Sequence, residues 1–142
     1  MSDTYQTRLH IGADIEAVFD HFVNPELLVT WMGDFARLDA VNDGIFSVDI
    51  NGVLIRGTFI AVERPHRLEI AWGEAGNSTM PPGSTRLVIT FTPVNGGTEL
   101  VLAHSALTAV EAAKHAIGWP HFLERLQMAA AGKNPGRDPW AT

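Results

Sequence analysis

The stretch Thr108-Ala109-Val110-Glu111-Ala112-Ala113-Lys114-His115-Ala116-Ile117-Gly118-Trp119-Pro120-His121-Phe122-Leu123-Glu124-Arg125-Leu126, running on to Ala131-Gly132, decides the fold. At about 100° per residue, Ala112, His115, Trp119, Phe122, Leu123, Leu126 and Ala130 fall on one face, and Lys114, His121, Glu124 and Arg125 on the other. Thr108 with Glu111 matches a capping box, in which hydroxyl and carboxylate each satisfy a backbone N–H left free at a helix start, and Gly132 supplies the stop. Pro120 cannot donate to the Ala116 carbonyl, so a bend or break is expected near Gly118-Trp119-Pro120. A long helix with one apolar face needs a surface to bury it, and the rest of the chain reads as a sheet wrapped around it.

Working outward, Tyr5, Thr7, Leu9 and Ile11 alternate with polar neighbours as in a strand with one buried face. Asp14 is placed to cap a helix carrying Ile15, Val18, Phe19 and Phe22, and Asn24-Pro25 starts a second short one offering Leu27, Leu28 and Trp31. From Ala36 to Ser105 the punctuation changes to hairpin signals at Asn42-Asp43-Gly44, Asn51-Gly52 and Asn95-Gly96-Gly97. With Asn51-Gly52 as a two-residue turn, Ile50 sits opposite Val53, Val48 opposite Ile55 and Phe46 opposite Gly57, on one apolar side. Ile45 and Leu54 are exceptions to the alternation. The first hairpin is given a three-residue turn with Gly44 left-handed, which puts Leu38 and Ala40 on the apolar side. In the last one Leu87, Ile89 and Phe91 go with Leu100, Leu102 and His104, so His104 points inward. Leu68, Ile70 and Trp72 complete about seven antiparallel strands. The polar run from Gly73 to Gly83 is a candidate lid or rim.

The chain has 142 residues, enough for one domain with a sizeable core, here residues 1–131 with a flexible tail at 132–142 that includes Trp140. It has no cysteine, and its formal charge of −6 is spread along the sequence with no basic stripe. Disulfides, thiolate chemistry and nucleic-acid binding are therefore set aside. Met1-Ser2-Asp3-Thr4 lacks the regions of a signal peptide, and no apolar run approaches the roughly 18 residues of a membrane span. The expectation is a cytoplasmic protein with no membrane insertion. The histidines at 10, 21, 66, 104, 115 and 121 show no metal-ligand spacing, and no nucleophile elbow, phosphate loop or dinucleotide fingerprint occurs. No metal and no cofactor are expected.

The order strand, two helices, six strands, helix resembles the α+β helix-grip fold of the START-like, or SRPBCC, superfamily, which includes the major birch-pollen allergen and lipid-transfer domains. Trp31, Gly44-Ile45-Phe46, Gly57, Pro65-His66-Arg67-Leu68, Trp72 and Ser84-Thr85-Arg86-Leu87 narrow the resemblance to one branch. So do Gly97-Thr98-Glu99-Leu100-Val101-Leu102-Ala103-His104, His115, Gly118-Trp119 and Leu123. That branch is similar to the C-terminal domain of the activator of the 90-kDa heat-shock protein ATPase, over about Tyr5 to Ala131. The resemblance implies a fold and a cavity; the family shares no catalytic motif.

The residues offer three functional readings. In the leading, non-enzymatic one, a small apolar or aromatic molecule lies between the sheet and the long helix. Trp31, Trp72, Trp119, Phe46, Phe59, Phe91 and Phe122 would form an aromatic wall, with Tyr5 at one end and His104 and His115 orienting the ligand. The bland alternatives are that the aromatics are core, that Tyr5 is at the rim, and that each histidine is bonded to the other or to a backbone carbonyl. In the second reading His104 and His115 are the acid and base of a cyclase, isomerase or hydratase. The third, an interaction module in stress response or with a chaperone, rests on the resemblance alone. The chain has no room for the additional N-terminal domain that makes much of the chaperone contact in the co-chaperone, which counts against direct ATPase stimulation. Ile45 and Leu54 leave homodimerisation through a sheet edge open.

Overall fold

The computed structural model describes residues 2–141. Its elements run β1 (Asp3–Ile11), α1 (Ile15–Val23), α2 (Pro25–Leu28), β2 (Phe35–Leu38), β3 (Ile45–Ile50), β4 (Val53–Glu63), β5 (Arg67–Trp72), β6 (Thr85–Val94), β7 (Gly97–Leu107) and α3 (Ala109–Ala130). The strands form one seven-stranded antiparallel sheet in the order β1-β7-β6-β5-β4-β3-β2. The helix-grip α+β architecture expected from the sequence is therefore the observed one.

Register follows the turns. Ile50 pairs with Val53, Val48 with Ile55 and Phe46 with Gly57, while Leu87 pairs with His104, Ile89 with Leu102 and Phe91 with Leu100. Because successive side chains alternate, these pairs put one continuous apolar face toward the helices. The exceptions Ile45 and Leu54 lie on the outer face, 41% and 39% exposed. At the first hairpin the faces agree with expectation, Leu38 pairing with Phe46 and Ala36 with Val48, but the left-handed residue is Asp43 (φ 67°), not Gly44. Gly44 is required for a different reason: a Cβ there would lie 1.9 Å from the Asp39 carbonyl oxygen.

The caps follow the sequence signals. Asp14 accepts from the Glu16 N–H, Asn24 from those of Glu26 and Leu27 with Pro25 opening α2, and Thr108 from that of Glu111. Pro120 sits inside α3, which runs unbroken. No break occurs because Ala116, whose carbonyl loses its helical donor, is exposed and can turn to solvent. Trp119, Leu123 and Leu126 are buried on the inner face as the helical wheel requires.

The segment after Gly132 makes side-chain contacts with the rest of the chain. Between residues 133 and 141 it lies back across α3, and Thr142 is outside the described residues. Arg125 donates to the Gly136 carbonyl at 2.9 Å, and Asp138 accepts from His121 Nε2 at 2.8 Å and from Asn51 Nδ2 at 3.2 Å. Trp140 stacks on the His121 ring with centroids 3.6 Å apart and 8° between planes. The helix face assigned to solvent by His121 and Arg125 is thus partly covered. Among the described residues no helix is long and apolar enough to cross a membrane.

Candidate functional site

Of the two short helices, α1 packs on β6 and β7 and α2 on β2. Where β3, β4 and β5 meet the N-terminal half of α3, a cavity of about 370 Å³ remains. Ile50, Val53 and Ile55 line it from the β3–β4 hairpin and Trp72 from the end of β5. The helix contributes His115, Gly118, Trp119 and Phe122, all on the face that the 3.6-residue period turns inward. Met32 follows α2, Met80 comes from the loop after β5, and Trp140 comes from the C-terminal segment.

The rim is built around Glu111. Its backbone N–H is capped by Thr108 at 3.2 Å, but its carboxylate does not reach back to complete a capping box. It accepts instead from Asn77 Nδ2 at 2.9 Å and Thr79 Oγ1 at 2.8 Å, which ties the Gly73–Gly83 loop to the start of α3. Burial opposes ionisation of this carboxyl, yet the two hydrogen bonds and the nearby Lys114 and His115 outweigh it and hold the group below the usual carboxylate range. Glu74 also lines the cavity and accepts from the same Asn77 amide at 3.0 Å.

His104 and His115 do meet across the gap between helix and sheet. Their rings are edge to face with centroids 4.7 Å apart. Their environments differ. His104 is fully buried; Trp119 Nε1–H donates to its Nδ1 at 3.2 Å, and Nε2 lies 2.8 Å from Thr85 Oγ1. An indole N–H can only donate, so Nδ1 is the bare nitrogen and Nε2–H donates to Thr85, whose hydroxyl donates to the Trp72 carbonyl at 2.6 Å. Burial, and then the neighbouring His115, push the His104 pKa down to about 3. This imidazole is neutral, saturated and sealed, so it has no proton to trade with a substrate. His115 is half-buried on the cavity wall, with Nδ1–H donating to the Glu111 carbonyl at 2.7 Å.

Of the ten proposed site residues, Trp72, His115, Trp119 and Phe122 line the cavity. Trp31, Phe46, Phe59 and Phe91 are in the solid core, at most 2% exposed, and His104 lies behind Trp119. Trp31 is held there by its Nε1–H donating to the His21 carbonyl at 2.9 Å. Tyr5 lies in a separate groove with Pro120 and Leu123, away from the cavity. The sequence reading missed Met32, Met80 and Trp140, for which no local pattern exists, and Gly118, whose only signal was an open place on an otherwise filled helical face. A Cβ built on Gly118 would meet nothing within 4 Å. Among the described residues, Trp72 Nε1 is the buried side-chain N–H for which no protein group accepts. No cluster of His, Asp or Glu that could hold a metal occurs among the described residues.

Comparison with known proteins places these features. The family model described as Activator of Hsp90 ATPase homolog 1-like protein matches residues 12–131. The solution structure of an AHSA1-like protein from Rhizobium etli is 35% identical, with 100% of this chain and 90% of that chain covered and a TM-score of 0.78. A protein from Mesorhizobium loti is 20% identical over 92% of this chain and 98% of its own, with a TM-score of 0.83. CalU16 from Micromonospora echinospora is 21% identical over 92% and 77%, with a TM-score of 0.76. At those last two identities the likeness concerns the fold. A search of curated proteins gives no match.

Proposed function

The chain belongs to the Activator of Hsp90 ATPase homolog 1-like family, within the START-like superfamily, and from that premise we propose that it is a non-enzymatic domain that holds one small, mostly apolar molecule between its sheet and α3. The observation that carries this reading is the cavity of about 370 Å³, within the roughly 300–1,000 Å³ typical of small-molecule sites. Its wall is built mostly from Ile, Val, Met, Trp and Phe side chains, joined by the polar groups of Asn51, Glu74, Glu111, Lys114 and His115. Burying a ligand's apolar surface there supplies the affinity at about 25 cal/mol per Å², and the rim groups orient it. Acid–base catalysis by a histidine pair finds no support, since His104 has both ring nitrogens engaged.

The test is a screen of lipids, aromatic compounds and polyketide-like compounds by tryptophan fluorescence and thermal shift. A binder should raise the melting temperature and change the emission of Trp72, Trp119 and Trp140, and Gly118→Leu, which pushes a side chain into the open space, should abolish both effects. Failure of every compound class to bind, or binding that Gly118→Leu leaves intact, refutes the reading.

A further inference from the structure

One buried charge on the cavity is only half answered by the protein. Glu111 is 2% exposed and lines the cavity. Burial opposes its ionisation, but the hydrogen bonds from Asn77 and Thr79 hold the carboxyl below the usual carboxylate range, so the group is an anion at neutral pH. All of its side-chain contacts go to one oxygen. Oε2 accepts from Asn77 Nδ2 at 2.9 Å and Thr79 Oγ1 at 2.8 Å, and it lies 3.8 Å from Lys114 Nζ. Oε1 takes no partner among the described residues, and it is not sealed off: Trp72 Nε1 is the side-chain polar atom among them that is both sealed and unpartnered. On a residue this deeply buried, the open space left to Oε1 is the cavity that the residue lines. An ionised carboxylate has about four lone-pair sites to fill, and a buried one left partly unfilled is costly.

The charges around it do not balance. Glu74 also lines the cavity and accepts from the same Asn77 amide at 3.0 Å, so one neutral amide gathers two carboxylates. Lys114 is the one Lys or Arg among the described lining residues, and its side chain is 66% exposed, where water screens most of an ion pair's attraction. Two carboxylates against one solvated ammonium leave a negative field in a space walled mostly by apolar groups, where charge is screened less than in water. Trp72, Trp119, Phe122 and Trp140 share that wall, and aromatic rings receive an organic cation better than aliphatic side chains do.

We infer that the molecule held here carries a protonated amine on its apolar or aromatic frame, and that the ammonium pairs with Glu111 Oε1. This rests on the small-molecule reading above and makes Glu111 its specificity-determining residue. The Asn77 and Thr79 contacts fix the carboxylate through Oε2, Oε1 takes the ammonium, Glu74 adds to the field, and the wall accepts the frame.

Three naphthalene probes test it: 2-naphthylmethylamine, 2-naphthylmethanol and 2-naphthoate, titrated calorimetrically at pH 8, above the range in which imidazoles take up protons. The amine and the alcohol share one frame and differ in an ammonium for a hydroxyl. The amine should bind roughly tenfold tighter, the size of one hydrogen bond to a charged group, and added salt should erode its affinity and not the alcohol's. 2-Naphthoate should bind most weakly. Glu111→Gln keeps an acceptor for Asn77 and Thr79 while removing the charge, and should bring the ratio of the amine and alcohol affinities to about one; the ratio cancels any general loss of packing. Lys114→Met, at an exposed position, removes the competing cation and should raise that ratio several-fold, which keeps the test decisive even if Glu111→Gln folds poorly. Amine and alcohol bound alike in both the wild type and Lys114→Met, a preference for 2-naphthoate, or an amine preference undiminished in Glu111→Gln overturns the inference while leaving the cavity reading intact. No binding by any of the three probes overturns the inference as well, and if the wider screen is also empty the cavity reading falls with it.

Discussion

The two halves of α3 face the same sheet over different ground. The C-terminal half sets Leu123 and Leu126 into the core on the side of the helix that meets α1, where Phe19, Phe22 and Phe91 interlock edge to face at 5.3 and 5.6 Å and Trp31 closes on Phe22 at 5.1 Å. The N-terminal half spans from His104 to the β3–β4 hairpin with no second helix beneath it. The Gly73–Gly83 loop, hung on Glu111, and the C-terminal segment, hung on Asp138, bring Met80 and Trp140 to the cavity lining. Large aromatics face both the packed core and the cavity. A solid interior or a cavity is therefore decided by what covers the sheet, not by how many rings face inward.

Breaking the solid end should cost most. Phe91→Ala should destabilise the protein by about 3–5 kcal/mol, because the rings of Phe19 and Phe22 cannot collapse into the space. Phe122→Ala at the cavity, where the side chain already borders open volume, should cost about 1 kcal/mol. Denaturant melts of the two variants measure the contrast, and equal losses would refute it.

The histidine at the boundary gives a pH signature of intermediate size. His104 in the folded protein takes its proton only near pH 3, against 6.5 in an unfolded chain. Below about 6.5 the unfolded state binds a proton that the folded state refuses, so stability is complete above that pH and falls as the pH drops, by about 1.4 kcal/mol per unit. The lowered carboxyls of Glu69, Glu111 and Asp138 add losses only as the pH falls below their unfolded values of 4.5, 4.5 and 3.8. The window from about 4.5 to 6.5 therefore isolates His104 among these groups. His104→Gln, which keeps a donor and an acceptor, should flatten the stability profile there; a slope that survives the substitution would assign it elsewhere.

Smaller effects sharpen the hollow end. Gly118→Ala should stabilise by about 0.5–1 kcal/mol, since a helical glycine loses its entropic penalty and the new methyl meets nothing within 4 Å. Smallest is the effect of Trp140→Ala on stability, within about 0.5 kcal/mol for a half-exposed ring, while its loss should loosen ligand binding several-fold because the ring forms part of the wall. Thermal melts and a titration with any cavity ligand read both.

Much of this was legible in the residues. The Asn51-Gly52 turn fixed register and so faces in its hairpin, the Asn95-Gly96-Gly97 turn gave the same faces with either two-residue loop, and the inward His104 followed without any knowledge of the helix. The facing of His115 was equally readable, because a helical wheel is a local property. What those readings lacked was depth: Trp31, Phe46, Phe59 and Phe91 share the faces of Trp72 and Trp119, and nothing in a period of two or 3.6 separates a ring buried in a packed core from one on a cavity wall. Glu111 was read as half of a capping box because Thr108 stands three residues before it; its carboxylate went instead to Asn77 and Thr79, which no local spacing connects to it.

The sequence by itself determined the seven strands, their order of turns, the long helix and the apolar sides of each, because those depend on φ/ψ preferences and side-chain periods that act over a few residues. The tertiary structure alone decided the volume left between helix and sheet, the unpaired indole of Trp72, and the return of the C-terminal segment onto His121 and Asn51. Each of these depends on side chains tens of residues apart filling, or failing to fill, one space, and volume and hydrogen-bond satisfaction are sums over all of them.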